Sequence, residues 1–394
     1  MEAVLMFRRL DLVIINRSFW PIYPVIGEAL MRFAEQQAHM QSVGVILQDH
    51  ADIRKHLTRE QRGDKVGFYP CHAFSVSGSS IVRRAADAVF FMLWVFMVLL
   101  IKRPKKVYVS TDPPVLVPFI VMVYSKLFRA RYVYHLQDIH PEAANVVFSV
   151  RPAIYHFLRW LDSLTMRNAN LLITITEEMV KEIRERSGTL SAVQVLSNPS
   201  VSFDEVVLPE NKRLGFAFCG NAGRLQRMPL LIQAIEQYCV DEGKLPFVFA
   251  GSGVFSERLK ELAAKYDNVT YLGVVSAFEA AQLNADYQWA LLPIEDEVTR
   301  FAFPSKSSSY VFSGALVAAI CGAETSVAKW VLENNLGTVL NPTADELCQF
   351  FRAVENGGFS PEIFDTDRGK LKEHLGFDVF VERLSRLVIS ERST

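Results

Sequence analysis

The chain has 394 residues, half of them hydrophobic, which suffices for two domains with full cores and excludes disorder as its main state. Its formal net charge of −1 leaves no global field to recruit nucleic acid, so basic residues matter only where they cluster. Five cysteines, Cys71, Cys219, Cys239, Cys321 and Cys348, lack CxxC or Cys/His spacing, which argues against a disulfide framework or a zinc site and fits a reducing cytosol.

The opening MEAVLMFRRLDLVIIN is acidic at its second residue and reads as a first strand rather than a secretory signal. The loop RSFWPIYPVIG follows, where Trp20 and Tyr23 either stack on a ligand or pack the loop, and Gly27 closes it. A helix from about Ile26 to His39 leads to the strand SVGVILQ. From Ala88 to Ile101 the run AVFFMLWVFMVLLI is uniformly apolar, with Arg83 and Arg84 before it and KRPKK after it. Its 14 residues rise about 21 Å as a helix, short of a hydrocarbon core of about 30 Å, so spanning is not expected. A buried core helix is one reading. The flanking cations and aromatics favour an interfacial element, in which Phe91, Trp94, Lys102, Arg103, Lys105 and Lys106 face anionic headgroups. The segment VLVPFIVMVYSKLFRAR repeats the pattern, with Lys126, Arg129 and Arg131 at its end.

Around these segments run KVYVS, YVYHLQ, a helix near Ala153 to Arg167, and NLLITIT. The short β-branched runs are those of buried parallel strands, and their alternation with helices is βαβ winding. After the polar, proline-bearing stretch SNPSVSFDEVVLPENKR the alternation restarts at Leu214 and continues through LPFVFAG, NVTYLG, YQWALLPI, ALVAAI and GTVL. The expected class is α/β, with two Rossmann-like doubly wound domains facing a cleft. The boundaries are residues 1–197, a linker over 198–213, a second domain over 214–370 and a final helix over 371–394.

The second half carries the sharper chemistry. LGFAFCG runs into NAGRLQR and then a helix, so Gly220, Asn221 and Gly223 lie where backbone approaches an anion, with Arg224 and Arg227 beside them. A diphosphate group needs positive charge of this kind. Lys306 follows Ser305, a reasonable N-cap, and a lysine at a helix start needs an offsetting anion. For Arg227 alone, a solvated helix-start arginine is the more ordinary reading. No acidic DxD pair follows an apolar strand, and the DTD at Asp365 to Asp367 lies in a polar stretch, so no metal and no cofactor are expected.

Taken in order, VYVSTDPP, YVYHLQDIHPEAA, NLLITITEEM, GNAGR, FAGSG, YLGVV, LLPI, FPSK and SSYVFSG resemble the GT-B retaining glycosyltransferases of the family 4 type that build bacterial polysaccharide and O-antigen. The resemblance implies a nucleotide-sugar donor, UDP-linked, and a lipid-linked or membrane-bound glycan acceptor on the cytoplasmic face of the inner membrane. It implies that His135 approaches the donor sugar and that Asp138 orients the acceptor hydroxyl or serves as its base. Without the resemblance, His135 reads as a satisfied strand-end residue and Asp138 as a turn cap. Glu142 reads equally as a first-turn helix residue. The resemblance also places Gly251 along the donor cleft, Val274 where backbone holds the base, and Ser309 at the ribose. It brings the final helix back toward the first domain. The family's paired glutamates are absent, their positions falling near Phe301 and on Ser309; Glu295, Asp296 and Glu297 either supply a substitute carboxylate or, as the more ordinary reading, form a solvated acidic loop. Relatives have paired glycines where this chain has Gly27 and Glu28. A GT-B sugar-nucleotide epimerase, or a catalytically silent scaffold that binds nucleotide or lipid, are the alternatives.

Overall fold

A computed structural model describes residues 9–74, 81–359 and 368–389, without the side chains of residues 81, 82 and 84. The chain divides into two compact units, residues 1–199 with 377–394, and residues 200–376.

The first unit contains, in chain order, β1 (Leu12–Ile15), α1 (Ile26–Ala38), β2 (Val43–Asp49), α2 (Ile53–Glu60), β3 (Val66–His72), α3 (Ile81–Lys102), β4 (Lys106–Ser110), α4 (Leu116–Phe128), β5 (Arg131–Leu136), α5 (Glu142–Val147), α6 (Pro152–Asn168), β6 (Leu171–Thr174), α7 (Glu177–Ser187) and β7 (Ala192–Val195). All its pairings are parallel, in the order β3-β2-β1-β4-β5-β6-β7, so the direction of winding reverses between β1 and β4. β1 is buried at every position, as a central strand covered on both faces must be. β3 was not foreseen, because Pro70 interrupts its run. It lies at the sheet edge, where a missing N–H costs no ladder bond. The edge strand β7 was likewise read as loop.

The second unit contains β8 (Arg213–Cys219), a 3-10 turn (Arg224–Gln226), α8 (Met228–Val240), β9 (Phe247–Ala250), α9 (Ser256–Lys265), β10 (Val269–Tyr271), α10 (Ala277–Asp286), β11 (Tyr287–Pro293), a second 3-10 turn (Asp296–Arg300), α11 (Ser307–Ser313), β12 (Leu316–Ile320), α12 (Ser326–Glu333), β13 (Gly337–Leu340), α13 (Ala344–Glu355) and α14 (Arg368–Leu375). Its parallel sheet runs β10-β9-β8-β11-β12-β13, with the reversal between β8 and β11. Its core is aromatic: Phe216 stacks on Phe247 at 5.0 Å, with Phe351 edge-on to both. Helix starts are set by side-chain caps, Thr325 on α12, Thr343 on α13, and a full capping box of Ser276 and Glu279 on α10.

The polar stretch expected as a linker over 198–213 packs largely with the second unit, the Ser200 N–H donating to the Leu375 carbonyl and the Val207 N–H to Gln282 Oε1. The chain then returns to the first unit as α15 (Phe377–Ile389). Phe380 and Leu384 on α15 are buried against the cluster that includes Phe33 and Ile14. Burying each such side chain is worth about 1.5–3 kcal/mol.

Candidate functional site

Each unit carries a candidate region at the carboxyl edge of its sheet, at the point where the winding reverses, which is where open α/β sheets bind ligands. In the second unit β8 ends at Gly220, whose φ is +146°, and β9 ends at Gly251, whose φ is +126°. The two turns press together so closely that a Cβ on Gly251 would lie 1.9 Å from the Gly220 carbonyl oxygen. Only glycine fits there. The N–H groups of Gly220, Ala222 and Gly251 are spent on the carbonyls of Ala250, Ser252 and Gly273. These glycines therefore build the floor of the region and do not offer it donors.

The charge comes from Lys306. Its Nζ is buried and has no hydrogen-bond partner, lies 3.8 Å from the centre of the Phe218 ring, and would be 3.7 Å from a Cβ on Gly220. Burial pulls its pKa down from 10.5 to about 7, partly countered by the nearby Cys219. A buried ammonium without an acceptor is half of an ion pair, and an anion seated against Gly220 would complete it. Asn221 and Arg224, on the loop that follows, are exposed. A Cβ on Gly223 would lie 2.8 Å from the side-chain ends of Asn221 and Gln226, which would have to shift.

The other residues expected at the donor site have protein partners or lie exposed. Arg227 sits in a left-handed conformation and donates to the Ile294 carbonyl and to Asp296 at 2.9 Å, with Glu295 at 3.2 Å. Its charge is neutralised there, and the same pairing occupies Glu295 and Asp296, two of the three substitute carboxylates. Ser305 is exposed and is not the helix cap; Lys306 holds that position, with no side-chain cap bond. Ser309 is buried with its hydroxyl 3.4 Å from that of Ser200. Phe301 is half-buried beneath the Arg300 guanidinium, and Val274 is 78% exposed.

In the first unit three loops meet at the switch point. The Thr111 hydroxyl after β4 accepts the N–H groups of Gln137 and Asp138 after β5, at 3.1 and 3.3 Å. Next to it the Asp112 carboxylate accepts the Ser18 N–H at 2.7 Å and pairs with Arg17 after β1. Burial, and then the charge of Asp112, push the Asp138 carboxyl up to about 6. A carboxyl so tuned can take a proton from a hydroxyl near neutral pH. Sequence reasoning missed Arg17, Thr111 and Asp112, although VYVSTDPP contains the last two.

His135 is different from its expected role. It is fully buried within β5, Nδ1 2.6 Å from the Tyr108 hydroxyl and Nε2 2.9 Å from the Gln137 amide. Both ring nitrogens are engaged, and burial lowers its pKa to about 3. It is the satisfied strand-end residue, and it holds Gln137 and so the Asp138 loop. Glu142 is buried too, sharing Arg186 with Asp162 at 3.0 and 2.6 Å, an ion network that anchors α5 and α6. Trp20 is buried, with the Arg62 guanidinium 5.3 Å from its ring centre, so it packs the loop; Tyr23 is exposed. A Cβ on Gly27 would collide with the Phe19–Trp20 backbone, so this glycine seats the loop on α1.

Four of the expected membrane contacts do not face outward freely. Phe91 is wholly buried, Trp94 is half-buried and donates to the Tyr69 carbonyl, Lys102 is buried over the Tyr69 ring, and Lys106 is half-buried and donates to the Ile389 carbonyl. Arg103 and Lys105 are exposed, Lys105 pairing with Asp11. The side chain of Arg84 and the stretch Asp365 to Asp367 lie outside the described residues. Among the described residues no three His, Cys, Asp or Glu side chains form a cluster that could hold a metal.

No family model matches the chain. The probable glycosyltransferase WbjE of Pseudomonas aeruginosa is 24% identical to it over 308 residues, 71% of this chain and 76% of WbjE. Among solved structures, HepE of Anabaena in complex with UDP matches 95% of this chain and 98% of its own, at 13% identity and a TM-score of 0.64. WaaG, a glycosyltransferase involved in lipopolysaccharide biosynthesis, matches 96% of this chain and 100% of its own, at 12% identity and a TM-score of 0.68. The chain has the GT-B glycosyltransferase fold, with a glycosyltransferase relative at 24% identity.

Proposed function

We propose that the chain is a retaining, metal-independent glycosyltransferase that moves a sugar from a UDP-linked donor to a lipid-linked glycan at the inner face of a bacterial cytoplasmic membrane. The observation that carries this reading is the enclosed, unpartnered Lys306 ammonium against Gly220. The relatives support its direction: HepE was solved with UDP, and WaaG serves lipopolysaccharide synthesis. Lys306 and Arg224 would hold the departing diphosphate, and Asp138 would receive or orient the acceptor hydroxyl proton. His135, Arg227 and Ser309 take no direct part.

Calorimetry with UDP, followed by mass spectrometry of a UDP-sugar panel incubated with membranes that contain the lipid-linked acceptor, tests the reading. Transfer is expected, and Arg224→Ala should lower turnover by about a hundredfold. Nucleotide binding with no turnover across the panel would identify a scaffold. Donor interconversion without any acceptor would identify an epimerase.

A further inference from the structure

Helix α4 packs between α3 and α6, and all three helices carry exposed apolar side chains. On α3, Leu93, Met97 and Ile101 are exposed at helical spacing, while Phe91, Val95 and Leu99 turn inward. Leu127 extends the surface on α4. On α6, Phe157 and Trp160 are 56% and 54% exposed, with ring centres 6.2 Å apart. Soluble monomers rarely leave a continuous apolar surface of this kind in water.

Charge selects what covers it. From residue 65 to residue 176 no acidic side chain is exposed among the described residues: Asp87, Glu142 and Asp162 are buried, and Asp112 and Asp138 are half-buried. Exposed cations border the surface instead, with Arg103, Lys126, Arg129 and Arg131 clustered where α3 and α4 end. A second copy related by a twofold axis would set these cations against each other with no carboxylate to offset them. An anionic lipid surface offsets them all.

We propose that the α3–α4–α6 face docks in the plane of an anionic bilayer, with Phe157 and Trp160 of α6 inserted across α4 from the outer stripe of α3. Spanning does not fit, even though the 18-residue window Ala85–Lys102 is apolar enough: a third of it is buried in the protein, and Lys102 is held over Tyr69. An amphipathic helix with one face committed to protein lies at the headgroup boundary. The purpose of the docking rests on the reading of a membrane-borne acceptor. α5 and α6 continue directly from the Asp138 loop, so a docked α6 holds that loop near the surface that carries the acceptor.

The full chain is floated with phosphatidylcholine vesicles, with and without phosphatidylglycerol, at low and high salt. Binding that requires phosphatidylglycerol and weakens with salt is expected. Phe157→Glu with Trp160→Glu should reduce the bound fraction at least about tenfold at an unchanged melting temperature, and Lys126→Glu with Arg129→Glu should do the same. No flotation, flotation of both double variants equal to the parent, or self-association through these residues in sedimentation would overturn the proposal. UDP calorimetry on the same preparation separates the two readings. UDP binding without flotation removes the docking surface alone, and flotation without UDP binding removes the transferase reading alone.

Discussion

Nucleotide binding to the second unit should draw a proton onto Lys306. With the apo pKa near 7, only about 3% of this side chain is charged at about pH 8.5. A diphosphate seated against it supplies the missing counter-charge, and a return to a pKa of about 10 would make it about 97% charged at that pH. UDP binding at about pH 8.5 should therefore take up about 0.9 proton, and affinity should fall about fiftyfold between about pH 7 and pH 9. Calorimetry in three buffers of different ionisation enthalpy reads the proton number as the slope of observed against buffer enthalpy. Lys306→Met should bring the slope to zero and flatten the pH dependence. The apo protein carries the mirror image. Its lowered lysine pKa means the unfolded chain binds more protons between about 7 and 10.5, so stability contributed here rises with pH across that window. Tight UDP binding by the parent with no proton uptake would refute the assignment of Lys306 to the diphosphate.

Transferase activity should fall as pH drops through about 6, because Asp138 acts as its anion, and Asp112→Asn should move that midpoint downward; the Asp138 carboxyl carbon, followed by NMR titration in both proteins, reads the shift without any assay of turnover. Gly251→Ala should abolish UDP binding, since its Cβ would overlap the Gly220 carbonyl at a φ that alanine resists; retained affinity in calorimetry would show that the floor of the region is elsewhere. Arg186→Met should destabilise the first unit by about 3–5 kcal/mol, read by denaturant unfolding, because it leaves the buried Asp162 without a counter-charge and Glu142 with Arg159 alone.

The winding was legible because buried parallel strands announce themselves as short β-branched runs, and five strands of the first sheet and all six of the second were read this way. The two strands that escaped, β3 and β7, lie at the edges, where half-burial removes the continuous apolar signal. Side-chain roles were harder. His135 and Arg227 have sequence neighbourhoods that suit catalysis, but the partners that occupy them, Tyr108 and Asp296, are 27 and 69 residues away and invisible locally. The orientation of α3 was unreadable for another reason. A run apolar on every side has no periodicity from which to tell its inner face from its outer one. Lys306 drew attention in the sequence because a cation at a helix start is a local conflict that an anion would resolve.

The route of the chain through the first unit bears on how the protein is made. Phe377, Phe380, Val381, Leu384 and Val388 complete a core whose other buried members come from the first two hundred residues, yet they leave the ribosome only after the whole of the second unit. During vectorial synthesis the earlier body must therefore wait, its α1 flank unsealed, while the later one is free to collapse on its own. Chaperone dependence of the nascent chain, and sensitivity to premature stop codons close to residue 377, follow from that order of emergence.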